Sequence, residues 1–282
     1  NPLPLADKPA MDPIFDPLIP WLEEFALDDG YKPFNPDFGA EMAATLEELG
    51  SEDIPEDTTD LGVGWWKYDL EEAASLLESE GFTKNADGNW LLPSGEEWVL
   101  ELVIPGDWSK VLQRMGFAIA DGWRTAGIQV NVRQVDNAEH VAVQDTNALR
   151  EVQLMWAQCI FAADDWYNDW RRIQLEYIRP GDSMEVNNMN NRYQWGNETA
   201  IDAINASPGL ARGSDELYEN GRIVAQEFIK DMAWINLANI PTTIVTNEEN
   251  WVGFPKADDY YAVPYSWWSS AKQMVADVVP AE

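Results

Sequence analysis

Apolar residues recur along the chain with two spacings, every third or fourth position in some segments and every second position in others. The first spacing is typical of amphipathic helices and the second of half-buried strands. The predicted helices span 20–26, 39–49, 69–80, 110–126, 137–146, 198–206 and 215–232. The predicted strands span 98–104, 128–135, 151–159, 233–237 and 242–246. Because strands and helices alternate through the middle of the chain, the pattern predicts an α/β layer with crossover helices.

Short polar signals mark the ends of the predicted helix at 69–80 and the turn after it. Asp69 is a typical N-cap, and Glu72 three residues later completes a capping-box pattern. Gly81 is placed to end this helix in a left-handed conformation. The following run 85–89, Asn-Ala-Asp-Gly-Asn, predicts a tight turn before a short hairpin.

The chain has 282 residues, enough for one large domain or two ordinary ones, and 45% of them are hydrophobic. No run of eighteen apolar residues occurs, so the sequence predicts no membrane-spanning helix within this chain. Residues 1–10 lack the basic and apolar regions of a signal peptide. We therefore expect either that a leader was removed or that the chain begins within a longer protein.

Acidic residues outnumber basic residues by 50 to 18, which gives a formal net charge of −32. Such a surface repels phosphate backbones and anionic lipids, so we expect no nucleic-acid partner. The acidic residues are spread over the whole chain and do not form one tail. This spread fits two explanations equally well, namely adaptation to a salty medium that screens the charges, or simple solubility.

The residues that most often carry enzyme or metal chemistry are scarce. Cys159 is the one cysteine and His140 the one histidine, which argues against a disulfide, a thiolate zinc site or a multi-histidine site. We therefore expect no metal and no cofactor. Tryptophan, by contrast, is in surplus with 15 residues. Most buried tryptophans belong to a core, but flat apolar rings with one N–H donor also suit sugar ligands.

Six stretches in order carry a family resemblance: 68–77 with 80–82, 100–104, 123–130, 152–156, 191–202, and 231–237 with 242–254. The first reads YDLEEAASLL followed by EGF, the third reads WRTAGIQV, and the fifth reads NRYQWGNETAID. They resemble, in this order and at similar spacing, the family 5 substrate-binding proteins of ABC importers, the peptide and oligopeptide type.

The resemblance implies an α/β fold, a periplasmic-binding-protein-like lobe of type II (cluster C like) with a mixed sheet flanked by helices. Residues 1–64 would be a loop-rich lead-in, 65–254 the second lobe of a two-lobed protein, and 255–282 a hinge return toward the first lobe. It also implies permease subunits of an ABC transporter as partners, an otherwise monomeric protein, and a periplasmic or extracellular location. Lipid anchorage through an upstream region is one way to hold it there.

The resemblance also suggests where a ligand would bind. In the peptide-binding members, an aspartate soon after a Gly-Trp strand end pairs with the α-amino group of the ligand. Here Met155 precedes Trp156, and the first aspartates, Asp164 and Asp165, come several residues later without the usual proline. This departure weakens the amine-binding role of the two aspartates.

The same stretch is crowded with aromatic, amide and carboxyl groups, the mixture that a carbohydrate site needs. Its candidate ligand contacts are Trp156, Asp164, Asp165, Trp166, Asn168 and Trp170. The alternative is a helix start with Asp164 as N-cap and both Trp166 and Trp170 in the core. Asn191, Arg192 and Trp195 form a second candidate cluster, with a structural turn as the alternative. Trp65 and Trp66 would lie at the cleft rim or staple the helix that follows.

Three functions remain open at this point. The first is capture of a neutral oligosaccharide by closure of two lobes, without chemistry. The second, in the same class, is capture of a di- or oligopeptide. The third is an acidic glycoside hydrolase that uses a carboxylate pair such as Asp164 and Asp169, for which the carboxyl spacing would have to fit.

Overall fold

A computed structural model describes residues 17–62, 64, 66–149, 151–155, 166–187, 190–211, 213–235, 237, 245–256 and 274–281. The side chains of Asn168 and Asp169 also lie outside this description. The chain divides into two compact units, Asn1–Asn239 and Ile240–Glu282. The predicted lobe boundaries at residues 64 and 254 concern a two-lobed protein and stay a prediction.

The described helices are α1 (Leu18–Glu24), α2 (Phe38–Glu48), α3 (Leu70–Ser79), α4 (Lys110–Thr125), α5 (Asn137–Gln144), α6 (Trp166–Trp170), α7 (Glu198–Ala206) and α8 (Asp215–Asp231). The described strands are β1 (Thr83–Lys84), β2 (Trp90–Leu91), β3 (Val99–Pro105), β4 (Gln129–Val135), β5 (Val152–Gln153), β6 (Trp251–Val252) and β7 (Val279–Pro280). The seven predicted helices are present, and each begins and ends within two residues of its predicted bounds. The fold is α/β, as predicted.

A parallel three-stranded sheet in the order β4-β3-β5 organises the middle of the first unit. β3 pairs with β4 along seven residues, from Val99 opposite Gln129 to Pro105 opposite Val135. On its other edge β3 pairs with β5, where Leu102 lies opposite Val152. Parallel strands need crossover connections, and α4 and α5 supply them.

The two crossover helices cover opposite faces of this sheet because side chains alternate along a strand. Leu102 and Ile104 pack with Leu112 and Ala120 of α4 on one face. Val103, between them in sequence, packs with Val143 of α5 on the other face. The sheet is therefore buried on both sides, which explains the nearly continuous apolar run of β3.

Gly116 lets α4 approach the sheet closely. A Cβ atom at this position would lie 2.5 Å from Cγ2 of Ile104, which is fully buried in β3. Gly122, six residues nearer the end of the same helix, has nothing within 4 Å of such an atom. One glycine thus sets the packing distance, whereas the other lies on the outer face.

A larger core lies around α7 and α8. It joins apolar residues from four helices (α1, α6, α7 and α8) and the loops beside them: Leu18, Leu22, Phe34, Trp166, Trp170, Ile173, Trp195, Ala200, Ala203, Ile204, Leu217, Val224, Ala225, Phe228 and Ile229. Trp170 is central, because its ring lies edge-on to Trp195 and Phe228 at centroid distances of 5.7 and 5.6 Å. Edge-to-face aromatic contacts at this separation are favourable.

The helix caps follow the sequence signals only in part. The Asp69 carboxylate accepts from the backbone N–H groups of Glu71 and Glu72, as the N-cap prediction requires. The Glu72 side chain does not complete the capping box; it faces Asp29, and desolvation together with that carboxylate raises the pKa of Glu72. Gly81 is left-handed, with φ of 85°, as predicted for the residue after the helix.

The strand predicted at 233–237 is wrong, because Met232, directly after α8, is left-handed and residues 233–235 and 237 are irregular. The strand predicted at 242–246 lies largely outside the described residues. The turn at 85–89 is present, and it joins β1 and β2 as the predicted hairpin.

The second unit contains a feature that the sequence did not reveal. β6 and β7 pair antiparallel, with Trp251 opposite Pro280. Gly253 follows β6 with φ of 90°, and a Cβ there would lie 2.8 Å from the carbonyl oxygen of Asp277.

Across the residues that the structure describes, no helix is long and apolar enough to cross a membrane.

Candidate functional site at the strand ends

The candidate site lies at the carboxyl edge of the parallel sheet. In open α/β sheets, ligands bind outside the carboxyl ends of the strands, where successive connections leave in opposite directions. From β3 the chain passes through α4 to β4 on one side, and from β4 it passes through α5 to β5 on the other. The strand order therefore reverses between β3 and β5, and this junction is the switch point of the sheet.

The turn at 106–109 lies at this edge, between β3 and α4. The backbone N–H of Gly106 donates to the carbonyl oxygen of Val135 at 2.6 Å, which ties the end of β3 to the end of β4. A Cβ at Gly106 would lie only 3.0 Å from that oxygen. Ser109 then caps α4 by accepting from the N–H of Leu112 at 3.3 Å. Asp107 and Trp108, between these two anchors, are exposed at the sheet edge.

His140, in α5, connects the ends of β3 and β5. Its ring lies edge-on to the ring of Trp108, with centroids 5.4 Å apart and planes at 78°. Its Nε2 lies 3.0 Å from the carbonyl oxygen of Leu154, just after β5. The Gln153 amide donates through Nε2 to the backbone oxygen of His140 at 2.8 Å. Residues from β3, α5 and β5 thus meet at one place.

The protonation state of His140 follows from these contacts. The residue is 3% exposed, and this burial lowers the pKa of its ring because water no longer solvates the charged form. The ring is therefore neutral near pH 7. Since a carbonyl oxygen only accepts, Nε2 carries the proton in the neutral ring. Oε1 of Gln153, beside it, is buried and accepts no hydrogen bond from any described residue.

The two tryptophans predicted on α6 are core residues. Trp166 and Trp170 are 1% and 2% exposed, respectively, and both belong to the large core around α7 and α8. This is the packing that the core alternative requires. The indole N–H of Trp166 donates to no acceptor among the described residues. A ligand role for these two rings stays a prediction.

Most of the other candidates from the same stretch fall outside the description. Trp156, Asp164 and Asp165 lie between β5 and α6 in the sequence and are not described, and of Asn168 only the backbone in α6 is described. Trp65 is not described either. Trp66 is half-buried against the large core, with its Nε1 3.5 Å from the carbonyl oxygen of Ile229.

The second predicted cluster is held by internal hydrogen bonds. Asn191 is 2% exposed, and its amide donates to the carbonyl oxygens of Gln174 and Trp195 while accepting from the N–H of Trp195. Trp195 is also buried, and its indole N–H donates to Asp231 at 2.8 Å. These contacts correspond to the structural turn that was the alternative.

Arg192 pairs with Asp145, the residue that ends α5. Its Nε lies 2.6 Å from Oδ1 of that carboxylate, and the two side chains are 16% and 12% exposed. Close by, the backbone N–H of Asn187 donates to the carbonyl oxygen of Asp145. The Asn187 side-chain amide is buried, and neither of its polar atoms has a partner among the described residues. The pair therefore anchors the loop that carries Arg192 to the end of α5.

Sequence reasoning missed the residues at the strand ends, namely Asp107, Trp108, His140 and Gln153. A signal was available, because the run Gly-Asp-Trp-Ser directly follows the buried strand β3 and precedes a helix. Such a turn in a parallel sheet opens toward the ligand side. Within the described chain, no group of three or more His, Cys, Asp or Glu side chains could hold a metal ion.

Comparison with known proteins gives matches in structure only. No family model matches the chain, and no curated protein matches it. A solved structure that does match is a mannohexaose-bound periplasmic oligopeptide-binding protein of an oligopeptide ABC transporter from Thermotoga maritima. It matches with a TM-score of 0.53 and 21% identity, over 80% of this chain and 41% of that one.

A second structure, described as a periplasmic oligopeptide-binding protein of an oligopeptide ABC transporter from the same organism, matches with a TM-score of 0.50 and 20% identity. The match covers 80% of this chain and 42% of that one. The chain thus spans about two fifths of the length of the structures that it matches. At this identity the similarity concerns the fold. It confirms, at that level, the resemblance seen in the sequence. The chain has the α/β fold of part of a periplasmic oligopeptide-binding protein of an ABC transporter.

Proposed function

We propose that this chain belongs to the substrate-binding component of an ABC importer and captures an oligosaccharide by closure of two lobes. The observation that carries the proposal is an exposed tryptophan, Trp108, at the switch point of a sheet with this fold. A cleft at the strand ends is where such a fold binds small ligands. A matched protein with the same fold was solved with mannohexaose.

The proposal includes the setting of the protein. As a binding component, the chain would work in the periplasm or outside the cell and deliver its ligand to permease subunits. It would perform no chemistry, in line with the matched structures, which are described as binding proteins. Ligand binding would favour the closed arrangement of the lobes by the contacts made only there.

Peptide capture is the second candidate, because both matched structures are described as oligopeptide-binding proteins. Isothermal titration separates the two candidates. The 282-residue chain is titrated with mannohexaose, cellohexaose and xylohexaose, and separately with defined tri- and pentapeptides. We expect heat from at least one hexaose and none from the peptides. Binding of peptides alone would replace the sugar proposal by the peptide one.

The hydrolase alternative rests on Asp164 and Asp169, whose side chains lie outside the described residues. The same hexaoses provide its test. After long incubation with the chain, their length is measured by chromatography. We expect unchanged hexaoses. Shortened products that disappear with Asp164→Asn would establish hydrolysis in place of simple binding.

A further inference from the structure

We propose that Trp108 is a stacking platform on which the apolar face of one sugar ring lies. This inference deepens the proposed function and rests on it. Trp108 stands in the turn between β3 and α4, at the edge where the switch point opens. Its side chain remains 36% exposed, whereas Trp166, Trp170 and Trp195 are buried.

The turn that carries Trp108 is fixed at both ends. On one side Gly106 donates to the end of β4, and on the other Ser109 caps α4. The ring itself lies edge-on to the ring of His140. His140 is buried, and its Nε2 is held by a hydrogen bond to the carbonyl oxygen of Leu154, just after β5. A ring that is already held in place loses little conformational entropy when a ligand stacks on it. Trp108 is therefore preorganised.

The surroundings of Trp108 suit a neutral, hydroxyl-rich ligand. Asp107 is its neighbour in the turn, and Asp136 follows Val135, whose carbonyl oxygen receives the Gly106 N–H. Both residues are exposed; Oδ1 of Asp136 accepts from the N–H of Glu139 as the cap of α5, which leaves its second oxygen and the Asp107 carboxylate to accept hydrogen bonds from hydroxyl groups. An anionic ligand would be repelled by them. A pyranose ring offers a C–H face for the indole and hydroxyl groups at its edge for the carboxylates.

A cationic group of a peptide is the competing occupant, because ammonium groups also bind aromatic faces beside carboxylates. The affinities of a cationic peptide group and of a neutral sugar differ in their dependence on salt. Attraction of a cation to Asp107 and Asp136 weakens as salt screens the charges, whereas stacking of a neutral sugar does not. Titrations at two salt concentrations therefore separate them.

The test compares Trp108→Ala with Phe117→Ala, a matched control on an exposed aromatic residue (44% exposed) farther along α4. Mannohexaose, cellohexaose and xylohexaose are titrated into the full chain and both variants. We expect Trp108→Ala to lower the affinity about tenfold, the upper range for one aromatic contact. Trp108→Phe should recover most of the affinity, and Phe117→Ala should bind as the parent chain does. Circular dichroism checks that each variant folds.

A second measurement does not depend on a variant that folds poorly. The indole N–H resonance of Trp108, assigned by its loss in Trp108→Phe, should shift when mannohexaose is added. Hexaose binding with equal affinity in Trp108→Ala and an unshifted resonance would overturn the platform while leaving the proposed function intact. No binding of any hexaose to the parent chain would overturn both. Peptide binding that is lost in Trp108→Ala and weakened by salt would assign the platform to a cation.

Discussion

His140 is the one histidine of the chain, so its titration can be followed without interference from another. Burial lowers the pKa of its ring in the folded protein. In the unfolded chain the ring has its ordinary pKa of about 6.5 and takes up a proton first as the pH falls. The unfolded state then binds more protons than the folded state, so stability is lost on acidification.

Replacement His140→Gln removes this titration and retains an N–H donor for the carbonyl oxygen of Leu154. We expect the parent chain to lose more stability than the variant as the pH falls from about 7.5 through 6.5 to about 5.5. Urea unfolding at each pH measures the difference. Carboxylates titrate in both proteins and cancel in the comparison. Equal losses would show that the ring is not held neutral.

A substitution at Arg192 distinguishes a ligand contact from a structural ion pair with Asp145. Because both side chains are largely buried, Arg192→Met would leave a carboxylate without its partner. We expect a loss of about 3–5 kcal/mol in the free energy of unfolding. The double variant Arg192→Met with Asp145→Asn should recover much of this loss.

The matched control is Lys32→Met, which removes an exposed pair with Glu24 at 3.8 Å and should change stability by at most about 1 kcal/mol. Both single variants are measured by urea unfolding and by hexaose titration. Unchanged stability together with lost binding in Arg192→Met would favour the ligand role over the structural turn.

At the scale of elements, the approach of α4 to β3 can be tested with two glycines of one helix. Gly116→Ala places a methyl group 2.5 Å from a buried Ile104 atom, so the helix or the strand must shift. We expect a loss of about 1–3 kcal/mol. Gly122→Ala meets nothing within 4 Å. It should gain about 0.5–1 kcal/mol because alanine favours the helix and restricts the unfolded chain.

Thermal or urea unfolding of the two variants gives this comparison directly. The substitution is chemically the same and the helix is the same, so helix propensity contributes equally to both. Opposite signs of the two changes would confirm that α4 packs on β3 at the distance described. A gain of stability in Gly116→Ala would contradict it.

At the scale of the whole molecule, the net charge of −32 opposes folding through repulsion between acidic residues. Salt screens this repulsion, with a Debye length that falls from about 10 Å at 0.1 M to about 3 Å at 1 M. If the chain is adapted to salt, its unfolding midpoint should rise markedly between about 0.05 M and 1 M KCl. A flat response would leave solubility as the explanation of the acidic surface.

Repeating the salt series with charge variants separates screening from general salt effects on hydrophobic burial. Replacing three exposed acidic residues by glutamine or asparagine, for example Glu47, Asp53 and Glu96, removes repulsion and should reduce the rise. The same number of neutral exposed substitutions should leave the rise unchanged. An equal rise of the unfolding midpoint in both sets of variants would assign the salt dependence to hydrophobic burial.

The local features of this fold could be predicted from the sequence, because they depend on residues close together in the chain. Apolar periods located the crossover helices and strands, and Asp69 and Gly81 marked the ends of α3. The strand prediction that failed did so because of tertiary packing. The segment at 233–237 has the apolar residues of a strand, but Trp234 packs against Phe228 and Tyr193, and the described residues 233–235 and 237 form no strand.

The sequence alone determined the alternation of elements, the excess of acidic charge and the resemblance to a binding-protein fold. Only the tertiary structure decided the strand order β4-β3-β5, and with it the place where Trp108, His140 and Leu154 meet. It also placed Trp166 and Trp170 in the core. The reason is that contacts between residues far apart in the chain determine which tryptophans are covered and which remain exposed, and no local pattern carries that information.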